Sequence, residues 1–129
     1  MSLISVVFIL SATFTSSFSV NRIQRFTFVS TLKMSNSEPE IQVIQQPDEE
    51  FLRKKGVYDW PIWGCEESRF PWTYYETETC YLLQGQVVVT PSDGRSSVSF
   101  QKGDYVTFPA GLSCVWDVKE AVQKHYMFQ

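Results

Sequence analysis

Between Glu78 and Val118 no apolar or aromatic segment runs longer than seven residues before a turn signal interrupts it. The segments are Glu78–Leu83, Gln86–Thr90, Ser96–Phe100, Asp104–Phe108 and Leu112–Val118. Their punctuation is Gln84-Gly85, Ser92-Asp93-Gly94, Lys102-Gly103-Asp104 and Pro109-Ala110-Gly111. Segments so short, rich in Val, Tyr, Phe, Trp and Thr, read as strands. A parallel crossover needs a dozen or more residues and none is available, so these strands are expected to be consecutive and antiparallel. The block from Trp72 to Val118 is therefore expected to be an all-β sandwich or small barrel, with any site on the inward side chains.

The flanks add three elements. Ile41–Ile44 is a short strand candidate. Pro47-Asp48-Glu49-Glu50 opens a helix that Arg53-Lys54-Lys55 and Gly56 close, with charges matched to the helix dipole at both ends. At about eight residues it is too short to stand alone and must cover an end or face of the sheet. Val57–Phe70 contains Tyr58, Trp60, Trp63, Cys65 and Phe70, broken by Pro61 and Pro71, and reads as an edge strand and connection whose rings plug the barrel end or wall a pocket. Ala121–Phe128 alternates well enough to be a closing strand. On it, the single histidine, His125, reads as a half-exposed residue rather than a catalytic one.

Residues 1–37 have a different composition: no Asp or Glu, nine serines, and Arg22, Arg25 and Lys33. This is the composition of an organellar transit peptide over residues 1–35, followed by a linker over 36–39 and a folded domain over 40–129. Its high Ser/Thr content favours the chloroplast, with a mitochondrial or secretory destination as alternatives. The apolar run Leu3–Leu10 is far short of a membrane span. A net charge of −3, with Arg53-Lys54-Lys55 as the only basic run, argues against nucleic-acid binding. Three cysteines without a CxxC pair argue against a disulfide-stapled secreted module.

Strand alternation brings chemistry together. Glu78, Cys80 and Leu82 share one face, and Leu112, Cys114, Trp116 and Val118 share another. If both faces point inward, a carboxylate and two thiols lie among aromatic rings. A carboxylate so placed must be hydrogen-bonded, paired with a cation, or protonated. Glu78 is thus a candidate general base or ligand anchor, and Cys114 a candidate nucleophile.

These residues carry a resemblance to the cupin superfamily, within it to the small single-domain group related to the cupin domain of (S)-ureidoglycine aminohydrolase. Glu78-x6-Gly85 matches the end of the first cupin motif, and Gly103-x5-Pro109-x-Gly111 the frame of the second. Trp60-Pro61-Ile62-Trp63, Phe70-Pro71-Trp72 and Glu78-Thr79-Cys80-Tyr81 match the subgroup. The resemblance implies an antiparallel double-stranded β-helix, the cupin or jelly-roll barrel, with one short N-terminal helix. It also implies a metal held by three imidazoles and a carboxylate. Here the first-motif histidine positions fall at Trp72 and Tyr74, or at Pro71 and Thr73, and the second-motif position falls at Cys114. Only the carboxylate remains, so no metal or other cofactor is expected; a residual Glu78/Cys80/Cys114 zinc site is the alternative.

The expected function is capture of a small polar metabolite. Glu78 would accept from an amide or amine, Tyr74 would donate, and Trp72, Trp116 and Phe108 would stack on the ligand beside Cys80 and Cys114. The alternatives are an enzyme acting on a ureido- or amide-bearing metabolite, and a structural or interaction protein. A homodimer is expected in each case, since edge strands such as Ile41–Ile44 invite pairing.

Overall fold

The computed structural model describes residues 38–129. The expected transit peptide lies outside the described residues. From Pro39 to Gln129 the chain forms one compact unit. Its seven strands are β1 (Gln42–Ile44), β2 (Ile62–Cys65), β3 (Ser68–Thr73), β4 (Glu78–Pro91), β5 (Val98–Gln101), β6 (Tyr105–Phe108) and β7 (Ser113–Phe128). One helix, α1 (Glu49–Lys55), and a 3-10 turn (Val57–Asp59) lie between β1 and β2.

The expected barrel does not form. The hydrogen-bonded order is β1-β6-β4-β7-β2, with β5 added on β4 and β3 on β7, and β1 and β2 do not pair with each other. Closure would require those end strands to meet at a matched tilt and stagger. They are three and four residues long, and Pro47 and Pro61 follow or precede them closely. β3 carries Pro71, which has no N–H to offer a further neighbour and so belongs on an edge.

Every pairing is antiparallel, but only β4 and β5 are consecutive strands joined as a hairpin. The sheet is instead built on a long ribbon of β4 and β7. The first half of β4 (Glu78–Tyr81) lies between β6 and the end of β7, and its second half (Gln86–Val89) between β5 and the start of β7. Gln84-Gly85, expected to be a turn between two strands, is a bulge within one strand, with register shifts between Leu82 and Val87. Gly85 has φ +103, and a Cβ there would lie 2.5 Å from the Ala121 carbonyl oxygen. Only glycine accepts both the backbone conformation and the close approach of β7. The extra residue reverses the inward face of β4: Glu78, Cys80 and Leu82 are buried before it, Val87 and Val89 after it. Likewise, the segments expected at Leu112–Val118 and Ala121–Phe128 fall in one strand, β7, which begins at Ser113.

The core on the inner face joins Cys80, Leu82, Val87, Val89, Phe100, Val106, Phe108, Cys114, Trp116, Val118 and Val122. A second cluster lies on the outer face, where Leu52, Val57 and Trp60 cover Tyr105, with Phe51 and Tyr81 alongside. α1 is held there by its caps. The Asp48 carboxylate accepts from the Phe51 N–H at 2.9 Å, and Gly56 (φ 72) returns its N–H to the Arg53 carbonyl. His125 belongs to this cluster's border and is buried rather than half-exposed. Its Nδ1 donates to the Trp60 carbonyl oxygen at 2.8 Å, and Tyr58 meets its ring edge-on. It therefore lies on the face of β7 opposite Cys114 and cannot serve as that thiol's base.

Candidate functional site

On the inner face a pocket of about 260 Å³ opens between β2, β3, β4 and β7. Trp63, Phe70, Trp72, Trp116, Tyr126 and Phe128 wall it, and Tyr74, Glu78 and Lys124 supply its polar groups. The register explains the assembly. Trp63 lies opposite Lys124, Phe70 opposite Trp116, and Trp72 opposite Cys114. Alternation along β7 then carries Trp116, Lys124, Tyr126 and Phe128 to one side.

At the centre, Lys124 Nζ donates to Glu78 Oε2 at 2.7 Å. The two side chains are only 6% and 5% exposed. Glu78 faces Phe128 across the ladder and Lys124 faces Leu82 four residues away, so the lysine stem runs along the ribbon past Tyr126 to reach the carboxylate. The ammonium also lies 4.8 Å from the Trp116 ring centre and 5.3 Å from that of Trp63, with Phe108 and Tyr126 at 6.0 Å. Each desolvated contact of this kind contributes up to about 2 kcal/mol, against several for removing the charge from water. The pair and the rings thus offset the desolvation together.

The polar groups are only partly satisfied by protein. Among the described residues, the Glu78 and Lys124 side chains have no hydrogen-bond partner besides each other. The Tyr74 hydroxyl accepts from Trp116 Nε1 at 3.0 Å, which leaves its own O–H without a protein acceptor. Burial raises the Tyr74 hydroxyl well above the usual tyrosine range, and the Glu78 carboxylate adds to the effect. Tyr74 is therefore a neutral donor. Buried polar groups left in this state call for a partner from outside the chain.

Of the seven expected ligand-binding residues, Trp72, Tyr74, Glu78 and Trp116 line the pocket. Cys80, Phe108 and Cys114 lie behind it in the core. Phe108 stacks on Tyr74, with ring centres 4.7 Å apart and planes within 6°. The Cys114 thiol donates to the Trp72 carbonyl oxygen at 3.6 Å. Burial pushes the Cys114 thiol up to about 11. It pushes Cys80 up to about 12, partly countered by Lys124 and reinforced by Glu78. Neither thiol is a nucleophile at neutral pH. The strand pattern also held a signal for Lys124: the alternation of Cys114, Trp116 and Val118, continued through Val122, arrives at it.

The residues do not fit the metal that the cupin motifs imply. Among the described residues no group of three or more His, Cys, Asp or Glu side chains gathers. The pocket's carboxylate, Glu78, is bound to an ammonium, and none of the positions that the resemblance offers for the imidazoles (Trp72 and Tyr74 or Pro71 and Thr73, with Cys114) is a histidine. No helix among the described residues is long and apolar enough to cross a membrane.

The model of the EutQ-like cupin domain matches residues 52–126. A DUF861 family protein from Thermotoga maritima is 47% identical, with a TM-score of 0.66 over 70% of this chain and all of its own. A DUF861 family protein from Pseudomonas syringae pv. tomato is 26% identical, over 53% of this chain and 29% of its own, at a TM-score of 0.48. The Clostridium difficile EutQ protein is also 26% identical, over 50% of this chain and 46% of its own, at a TM-score of 0.46. No curated protein matches the sequence. The chain belongs to the EutQ-like cupin domain family, within the cupin superfamily.

Proposed function

We propose that the chain binds a small polar organic molecule in the aromatic pocket without using a metal. The supporting observation is the Glu78–Lys124 pair, enclosed by rings yet still holding unused donor and acceptor capacity at the edge of a cavity. A mostly apolar pocket with a few convergent polar groups is the usual form of a small-molecule site. Trp63, Trp72 and Trp116 would flank the ligand, and Tyr74 would donate to it. The sequence resemblance to (S)-ureidoglycine aminohydrolase favours an amide- or ureido-bearing metabolite. Native mass spectrometry and metal analysis of protein isolated from its own source test the proposal. A retained organic molecule small enough for the cavity is expected. An adduct-free chain in every preparation, or a stoichiometric transition metal, would overturn it.

An enzyme acting on the same class of molecule is the second reading, and it keeps one chemical route. Thiol attack is opposed by the depth and raised pKa of Cys80 and Cys114. What remains is proton transfer at Glu78, assisted by the Lys124 ammonium. A chloroplast location, directed by residues 1–35, and a homodimer through edge strands complete the proposal.

A further inference from the structure

We infer that Lys124 is the specificity-determining residue of the pocket: with Glu78 it forms a charge-balanced donor–acceptor pair that selects neutral planar carboxamide-type ligands over carboxylates and amidinium cations of the same shape. The inference rests on the binding function proposed above and names its ligand class. A carboxylate approaching Lys124 Nζ must also approach Glu78, whose Oε2 is 2.7 Å away. A cation approaching Glu78 meets the ammonium in the same way. With both side chains almost wholly withdrawn from water, neither repulsion is screened by solvent.

A carboxamide instead offers one acceptor and one donor side by side. Its carbonyl oxygen accepts from Lys124 Nζ, which has N–H groups beyond the one given to Glu78. Its N–H donates to the carboxylate, which has acceptor sites beyond the one used by Lys124. The Tyr74 hydroxyl, neutral and without an acceptor among the described residues, provides a second donor for the carbonyl. The rings of Trp63 and Trp116, already packed around the ammonium, supply the flat walls. In this chain a tethered ammonium thus stands beside the motif carboxylate. It donates to a ligand carbonyl through a proton.

Benzamide, benzoate and benzamidinium are matched in shape and differ in charge, so they isolate this property. Their binding to the full chain is read by quenching of tryptophan fluorescence. Benzamide is expected to bind at least ~10-fold more tightly than either ion. In Lys124→Met the order should shift toward benzamidinium, and in Glu78→Gln toward benzoate. Single variants leave one buried charge unpaired and can fail to fold, so the double variant Glu78→Gln/Lys124→Met serves as the second test. It should bind all three probes within about threefold of one another. Equal or tighter binding of an ion by the native chain, or a double variant that keeps the native order, would overturn the inference and leave the binding function standing. No binding of any probe, together with no co-purifying molecule, would overturn both.

Discussion

Lys124 and Glu78 stabilise the fold only as a pair. Lys124→Met should lower unfolding free energy by about 3–5 kcal/mol, because it strands a buried carboxylate. The double variant Glu78→Gln/Lys124→Met should recover to within about 1 kcal/mol of the native chain; urea denaturation measures both. The thiols give a second residue-scale expectation. Cys65 is half-buried while Cys80 and Cys114 are buried. A disulfide reagent at pH 8 should therefore titrate one thiol quickly in the folded chain and three after unfolding. The raised thiol pKa values also set a pH dependence. Above about pH 9 the unfolded chain gives up thiol protons that the folded chain keeps until about 11 at Cys114 and about 12 at Cys80. The contribution of these thiols is thus complete below pH 9 and is lost as pH rises toward 11–12. The melting temperature should fall across that window, less steeply in Cys114→Ala than in the native chain.

At the scale of elements, the β4 bulge and the helix caps carry different costs. Gly85→Ala would force a methyl group against the Ala121 carbonyl at a positive φ, so a loss above about 2 kcal/mol, or failure to fold, is expected. Asp48→Ala removes only the helix cap and should cost about 1 kcal/mol in chemical denaturation, with the pocket unaffected. The helix ends were legible from sequence because capping is local: Asp48, the acidic first turn, the basic last turn and Gly56 lie within nine residues of one another. The bulge was not legible. A glycine after Gln84 satisfies a tight turn and a bulge equally, and what decides between them is how closely β7 approaches, some thirty-five residues later in the chain.

For the whole molecule, residues 39–129 expressed alone should unfold cooperatively at a melting temperature close to that of the full chain. Both hydrophobic clusters lie within that unit. A non-cooperative transition, seen by calorimetry, would show that this unit does not contain its own stability. The open sheet follows from the same scale. Strand propensity and turn spacing establish that strands form and run antiparallel, but not which edges meet. Closure depends on tilt, stagger and the lengths of the end strands, and β1 and β2 are too short and too bounded by proline to complete a ring.

By itself the sequence determined the β character and the capped helix, because both rest on local propensity, and the cupin motif frame was legible as a resemblance; alternation made Glu78 an inward residue only on the condition that its face of β4 meets the core. Tertiary structure alone decided three things: the open order of strands, the withdrawal of Cys80, Cys114 and Phe108 behind the pocket wall, and the choice of Lys124 as partner to Glu78. The physical reason is shared. Each depends on register between strands distant in sequence, and a bulge of one residue is enough to reassign which side chains meet.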